Sequence, residues 1–520
     1  MSALVTDQFR ILNASNFVES ANNSSDSYYV FVGLSNANIQ AFGRDVNWDT
    51  NTPYPIDNID YNNHYESTIL FGKKITNANI RRVIKKINWV RGTKYEMYRP
   101  DYSAINPSPT TNSLRLYDAN YYVLNSDYRV YICIDNGSSG INTTGNASQD
   151  EPTFTDLEPS RAGESGDGYI WKYLYTVSPS DIIKFDSTEY ITIPNNWDSS
   201  TDPQIISIRE NGDSTINNNQ IKKVYIKNGG FGYTLSSGQS CNIIGDGTGA
   251  TVVVDVDSSG RITDTTVTSG GKNYTYGLVD LGTVIAPGQY AELIPIIPPS
   301  KGHGYDLYKE LGADKVLIYA RFDDSSKDFP VDTKFAQVGI IKNPTIFESS
   351  GIGTSLFVSN EFSATYAIKL ASTSSGSLTI GDKIQQNVTG GIAFGYVASY
   401  DKETNVVKYY RDRSLYFNSD SSDHTDYVGI STRGKVLDFS SSGGQILRSS
   451  GGFSGTIDSS FTGITTSIGN KSINLGVIFT NGLANPEINN KSGEIIYMDN
   501  RPTVSRNSRQ KEDIKIILEF

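Results

Sequence analysis

Histidine, cysteine and methionine are nearly missing from this chain of 520 residues, at three, two and three copies. None of His64, His303 and His424 has a second histidine at zinc-ligand spacing, and no His-Glu-x-x-His occurs. His303, between Gly302 and Gly304, reads as a turn residue with no orienting partner in view. Cys133 and Cys241 cannot build a disulfide framework, and folding in a reducing cytoplasm fits their scarcity. Neither sits in a recognisable nucleophile setting, and there is no Gly-x-Ser-x-Gly elbow. Long apolar runs are absent too. Stretches such as Leu293 to Pro298 fall far short of a membrane span. The opening Met1-Ser2-Ala3-Leu4 has neither a basic start nor an apolar stretch, so no export signal is expected. Positive charge is in the minority, with a net charge of −11, which argues against a general grip on nucleic acid.

Two short motifs look like binding loops and fail on spacing. The Asp255–Gly260 stretch starts like a calcium loop, but Thr266 stands where the twelfth-position Glu belongs. The Gly245–Gly249 stretch is too short for a phosphate loop. Both read as β turns, and no cofactor or metal is expected. Paired carboxylates for glycoside cleavage cannot be judged this way, because 56 acidic residues supply countless pairs.

What is present is glycine (47), tyrosine (33) and many Ser, Thr and Asn, beside 37% hydrophobic and 19% charged residues. Many β-formers among many turn residues point to an all-β chain of short strands with few short helices, organised as several β-sandwich domains. Strands are expected at residues 28–33, 128–135, 169–175, 315–322, 335–342 and 405–411. A final strand puts Ile514, Ile516, Leu518 and Phe520 on one face and is thereby pinned into a sheet. Residues 77–88 carry Ile80, Val83, Ile84 and Ile87 at i, i+3, i+4, i+7 behind Asn77, a helix pattern. That helix would turn Arg81, Arg82, Lys85 and Lys86 outward as the one dense basic patch, a solvated face or a dock for an acidic neighbour. A short helix at 305–311 would end at Gly312.

Texture divides the chain into a region 1–203, a Gly/Thr/Val-rich module 204–285, a return at 286–347, a Ser/Gly-rich domain 348–488 and closing strands 489–520. Within the first module residues 224–234 (VYIKNGGFGYT) echo 265–275 (TTVTSGGKNYT), which suggests paired hairpins.

Several blocks carry a family resemblance. They are residues 166–175 (GDGYIWKYLY) with 189–194 (EYITIP), residues 335–344 (FAQVGIIKNP), and residues 493–502 (GEIIYMDNRP) with 512–520 (EDIKIILEF). Weaker echoes are 53–55 (PYP) and 88–95 (NWVRGTKY). Together, and in this order, they resemble the gene product 8 family, the baseplate wedge subunits of T-even-type contractile-tail phages. The resemblance skips the two Gly/Ser-rich stretches, so the chain reads as an enlarged member with two inserted β modules. It implies a structural, non-catalytic homodimer in the virion tail baseplate, assembled in the host bacterial cytoplasm. Its expected partners are other wedge proteins, with tail fibre or peripheral baseplate proteins as further candidates, and neither nucleic acid nor membrane.

The residues that carry the resemblance have structural or interface roles to fill: Gly166, Asp167, Gly168, Tyr169, Trp171, Tyr173, Leu174, Gly493, Glu494, Tyr497, Asn500, Arg501 and Pro502. Tyr169, Trp171, Tyr173 and Tyr175 alternate on one strand face, as a sheet core or as a ridge at a subunit contact. Residues 499–502 read as a turn between two strands, with Arg501 solvated or locally paired, or else paired with a partner carboxylate across an interface. The alternatives to a structural subunit are a receptor- or glycan-binding protein acting through the exposed Tyr and Asn of the inserts, and a polysaccharide-degrading tail enzyme.

Overall fold

A computed structural model describes residues 4–34, 48–212, 220–234, 237–282, 289–323, 334–348, 353–411, 437–506 and 510–520. His424, Met1-Ser2-Ala3, position 285 and parts of both insert stretches lie outside the described residues. Strand accounts for 42% and helix for 10%, spread over several separate sheets, so the chain is all-β and multi-domain. It falls into two compact units: residues 1–18, 81–317 and 517–520 form one, and residues 19–80 and 318–516 the other.

The first unit is built on the sheet Tyr122–Leu124, Arg129–Asn136 and Tyr169–Thr176, whose strands pair antiparallel in that order. The helix pattern at 77–88 is overturned. Ile80–Lys85 is a strand, and Arg82 to Lys85 pair with Tyr190–Ile193. Asn77 lies in the turn before it, where Asn79 Oδ1 accepts the Thr76 N–H at 2.5 Å. The physical reason is burial on both faces. Ile80, Arg82, Val83 and Ile84 are all buried, and a short doubly covered strand mimics a helical stripe.

The basic patch dissolves with the helix. Arg81 makes a two-pronged pair with Asp181 at 3.1 Å, and Lys86 meets Asp186 at 2.8 Å. Arg82 is buried with its guanidinium 4.1 Å from the Tyr308 ring centre. The expected short helix does form, over Leu307–Glu310, with Gly312 at φ +69 just beyond it. The helix Asp7–Asn22 was not foreseen. It buries Ile11, Ala14, Val18 and Ala21 while Phe9 and Leu12 stay exposed, so its apolar residues do not form one stripe.

The 224–234 and 265–275 echo is a true internal repeat, and the consecutive strands Gln239–Gly245, Thr248–Val256 and Ile262–Lys272 pair as antiparallel hairpins. Ile221, Gly229, Gly230, Gly232, Tyr233 and Ala250 each have a counterpart 41 residues on, at Ile262, Gly270, Gly271, Asn273, Tyr274 and Ala291. The copies share backbone signs: Gly230 and Gly271 lie at φ +59 and +63, Gly232 and Asn273 at +84 and +63. They also exchange partners. The Ile262 N–H donates to Gly229 O and the Ile221 N–H to Gly270 O, both at 3.0 Å. The Tyr233 hydroxyl accepts the Ala291 N–H at 2.7 Å, and the Tyr274 hydroxyl the Ala250 N–H at 3.2 Å. Strand Val224–Asn228 pairs with Glu292–Pro295, and Ile262–Lys272 with Thr248–Val256. Each copy's first strand is therefore completed by the other copy's third.

In the second unit, Tyr28–Gly33 and Glu494–Ser505 pair on either side of Lys334–Lys342. A separate eight-stranded sheet holds, among others, Lys383–Val388, Gly391–Asp401, Val406–Tyr410 and Tyr366–Lys369. The turn expected at 499–502 does not exist, because strand Glu494–Ser505 runs through it. Asn500 opposes Gln337 and Val504 opposes Phe335, so the intervening residues bulge. Pro502 is tolerated because the strand lies at the sheet edge.

Two outcomes are expected. A Cβ at Gly229 would stand 2.2 Å from Ile262 O, at the seam between the repeats. Gly229→Ala should therefore lower stability by about 1–3 kcal/mol in denaturant unfolding, whereas Gly249→Ala, with open space around it, should act only through its positive φ. His64 in the second unit is 2% exposed, and burial pushes its imidazole down to about 3, with Lys491 acting in the same direction. The unfolded chain then binds the extra proton below pH ~6.5. Stability from this group is complete above that pH and falls as pH drops toward 3. Between pH 7 and pH 5 the loss should be about 2 kcal/mol, and His64→Gln should remove it. Parallel stability–pH curves for the two proteins would contradict the assignment.

Candidate functional site: the cross-braced block around Asp167

The Gly166–Asp167–Gly168 turn feeds the aromatic strand Tyr169–Thr176. Gly166 and Gly168 lie at φ +68 and +86. A side chain at Gly168 would also put a Cβ 2.8 Å from Gly137 Cα. Asp167 ties the turn to its surroundings: Oδ1 accepts the Tyr169 N–H at 3.0 Å and Oδ2 the Gln149 N–H at 2.8 Å. Its carbonyl accepts from Asn146 Nδ2 at 2.8 Å.

Tyr169, Trp171, Tyr173, Leu174 and Tyr175 are all buried, at 2% exposure or less. Two bulges, at Leu174 and at Ile134, interrupt the pairing with Arg129–Asn136. The four rings enter three separate contacts. Tyr169 stacks on Trp171 at 5.3 Å, and Tyr95 stands edge-on to both. Tyr173 meets Tyr131, and Tyr175 meets Trp197. The 88–95 block belongs here as well: the Tyr95 N–H donates to the Tyr169 hydroxyl at 2.9 Å, and Trp89 Nε1 donates to Ser148 Oγ at 3.0 Å.

The C-terminal motif lies in the second unit. Glu494 and Tyr497 oppose Lys342 and Ile340 across the strand pair, after Gly493 at φ +83. Asn500 accepts from Gln337 Nε2 and donates to Pro53 O at 3.0 Å, which brings the 53–55 echo against the 493–502 block. Arg501 is exposed and pairs locally with Asp499 at 2.6 Å. The structure thus gathers these blocks as two separate sets, one in each unit.

Sequence reasoning missed the buried charges. Lys223 Nζ meets Asp135 Oδ2 at 2.6 Å, and burial still pushes the Asp135 carboxyl up against the pull of that amine. Arg99 is held by Asp101 at 2.8 and 3.0 Å and lies 3.9 Å from the Tyr225 ring centre. The Tyr225 hydroxyl donates to Thr143 O, and Arg261 Nη2 donates to Gly140 O. Lys223, Tyr225 and Arg261 come from the repeat module, and their partners from residues 99–143, so the module is bolted to the aromatic block. No local signal marks such pairs, because 88 residues separate Asp135 from Lys223.

His303 is not the unpartnered turn residue expected. Its Nδ1 lies 2.6 Å from Glu310 Oε1, Glu310 Oε2 accepts the Gly304 N–H at 2.7 Å, and Tyr98 stands edge-on to the ring. Both side chains are closed off from solvent. Burial also lifts the Cys133 thiol well above its ordinary range and lowers the Lys172 amine to about 8. Lys172 donates to Leu157 O and Asn211 Oδ1. Asp257 accepts within its own turn from Ser259 and Arg261. Among the described residues no cluster of His, Cys, Asp and Glu could hold a metal, and no helix is long and apolar enough to cross a membrane.

Removing the Lys223 amine would strand the Asp135 carboxylate. Lys223→Ala should cost about 3–5 kcal/mol, while Lys223→Met with Asp135→Leu should restore most of it. A single variant within ~0.5 kcal/mol of wild type in urea unfolding would show that the pair braces nothing.

A search of curated proteins finds no match to the chain. Residues 143–231 do match the model of the family Phage-Gp8, described as Bacteriophage T4, Gp8. The match holds the Asp167 turn, the aromatic strand, the helix Pro203–Gly212 and the first repeat strand Val224–Asn228. Over that stretch the chain is similar to a structural phage baseplate family, Gp8 of bacteriophage T4.

Proposed function

We propose that this chain is a structural subunit of the phage tail baseplate wedge. It binds neighbouring wedge proteins and moves as a rigid body during tail contraction. The observation that carries the reading is the match over residues 143–231, which falls on the cross-braced block. A subunit that transmits force needs elements that do not slide, and buried ion pairs, ring–cation contacts and tied turns supply that. The motif residues Gly166 to Leu174 then act as an internal frame. Glu494, Tyr497 and Asn500 hold the edge of the second unit's sheet, and Arg501 stays on its surface. The repeat module beyond residue 231 and the stretch 348–488 are additions to the common core. The chain works as a homodimer without catalysis, in the virion tail baseplate, after assembly in the host bacterial cytoplasm. Tail fibre or peripheral baseplate proteins are further partners at its margins.

Two measurements test this. Light scattering on the purified 57.0 kDa chain should give twice that mass at micromolar concentration, and a single-chain mass would count against the dimer. Maps of the baseplate before and after contraction should show each compact unit unchanged to within ~1 Å. Refolding inside either unit would contradict rigid-body movement.

A further inference from the structure

A cleft of about 850 Å³ opens in the second unit, beside the eight-stranded sheet. That volume lies in the ~300–1,000 Å³ range of small-ligand sites. Its wall is about half apolar, with four aromatic rings, and half polar. Phe347 and Tyr366, both half-buried, meet edge to face at 6.1 Å, and Ile478 stands 72% exposed on the rim. Around them are Asp438, Asn485 and Thr480.

The polar side is fixed in place before any ligand arrives. Arg411 lies 5.0 Å from the Tyr366 ring centre. It donates from Nε to Phe394 O at 3.3 Å and from Nη2 to Leu437 O at 3.2 Å. Its Nη1 then holds Asp438 Oδ1 at 2.6 Å, while the Asp438 side chain remains 74% exposed. The result is an oriented carboxylate whose charge is already balanced, lining the same cleft as the exposed amide of Asn485 and the exposed hydroxyl of Thr480.

We infer that this cleft binds a neutral saccharide. A pyranose presents C–H faces that pack on rings and aliphatic side chains, and hydroxyls that both donate and accept. Asp438 accepts from such a hydroxyl, Asn485 donates and accepts, and Thr480 does either. An acidic sugar would meet Glu348, Asp438 and Glu487 in the wall, and the two cations there are already engaged, Arg411 by Asp438 and Lys491 by Ser67 Oγ at 2.9 Å and Glu66 at 3.9 Å. A purely apolar ligand would leave these polar groups without partners. The inference is independent of the baseplate reading, since a structural subunit can carry such a site or lack it.

The test is an array of neutral oligosaccharides (glucose, galactose, mannose and N-acetylglucosamine oligomers) beside uronate and sialylated ones, probed with the full chain. Hits are measured by calorimetry on wild type, Asn485→Ala and Asp438→Asn. Asn485 is exposed, so the melting temperature of Asn485→Ala should hold, whereas Asp438→Asn takes the carboxylate from the buried Arg411 and is compared at a temperature where circular dichroism shows it folded. Binding of one or more neutral oligomers is expected, weakened roughly tenfold by each variant, the order of one hydrogen bond. Three results would overturn the assignment: no neutral glycan above background, binding confined to acidic glycans, or affinities unchanged in both variants.

Discussion

A buried tyrosine must find a partner for its hydroxyl, and in this chain the partner is repeatedly a backbone carbonyl far away in sequence. The Tyr121 hydroxyl donates to Glu310 O, Tyr122 to Lys85 O and Tyr175 to Thr192 O. Tyr308 donates to Pro194 O, and in the second unit Tyr29 donates to Phe357 O. Short strands joined by many turns leave carbonyls outside the ladders, and each would be costly to bury unpaired. A tyrosine covers such a carbonyl with its ring and satisfies it with its hydroxyl in one step. That explains how 33 tyrosines can serve a chain with modest aliphatic content. The aromatic excess is a way of closing irregular β structure.

The rings also admit charge to the interior. Arg82 lies over Tyr308, Arg99 over Tyr225 and Arg411 over Tyr366. Each guanidinium keeps a hydrogen-bonding partner as well, in Asn195, Asp101 and Asp438 respectively. Such arrangements are sensitive to small displacements, because an ion that loses its partner in a low-dielectric setting is strongly unfavourable. They favour one geometry over its neighbours.

Legibility followed burial geometry. Strands Tyr28–Gly33 and Lys315–Phe322 stand where the β-branched and aromatic runs put them. The last strand alternates as read, with Ile514, Ile516 and Leu518 more covered than their neighbours. Residues 80–85 misled because covering both faces of a strand erases the period of two, and a chance spacing of Ile and Val filled the gap. Residues 499–502 misled because Asp-Asn-Arg-Pro is turn chemistry wherever the chain is free to turn, and here an edge strand absorbs it as a bulge. The motif turn at Gly166–Gly168 was visible, but not what it holds, since Gln149, Asn146 and Gly137 reach it only through the fold. The dyad of His303 and Glu310 was within seven residues and still unmarked, because nothing local says which carboxylate turns inward.

The repeat module shows how these constraints combine. Its two copies cannot be separated from each other, because each copy's first strand and glycine pair are completed by the other copy's third strand and N–H groups. One copy alone would expose a sheet edge and leave Tyr233 or Tyr274 without its N–H donor. The module therefore orders as a whole or not at all. It also cannot hang loosely from the rest, since Lys223, just before the first copy's first strand, and Tyr225, on it, are held by Asp135 and Arg99. The stretch similar to Gp8 ends at residue 231, inside that same first copy. The ties at Lys223 and Tyr225 therefore join the opening of the module directly to the aromatic block.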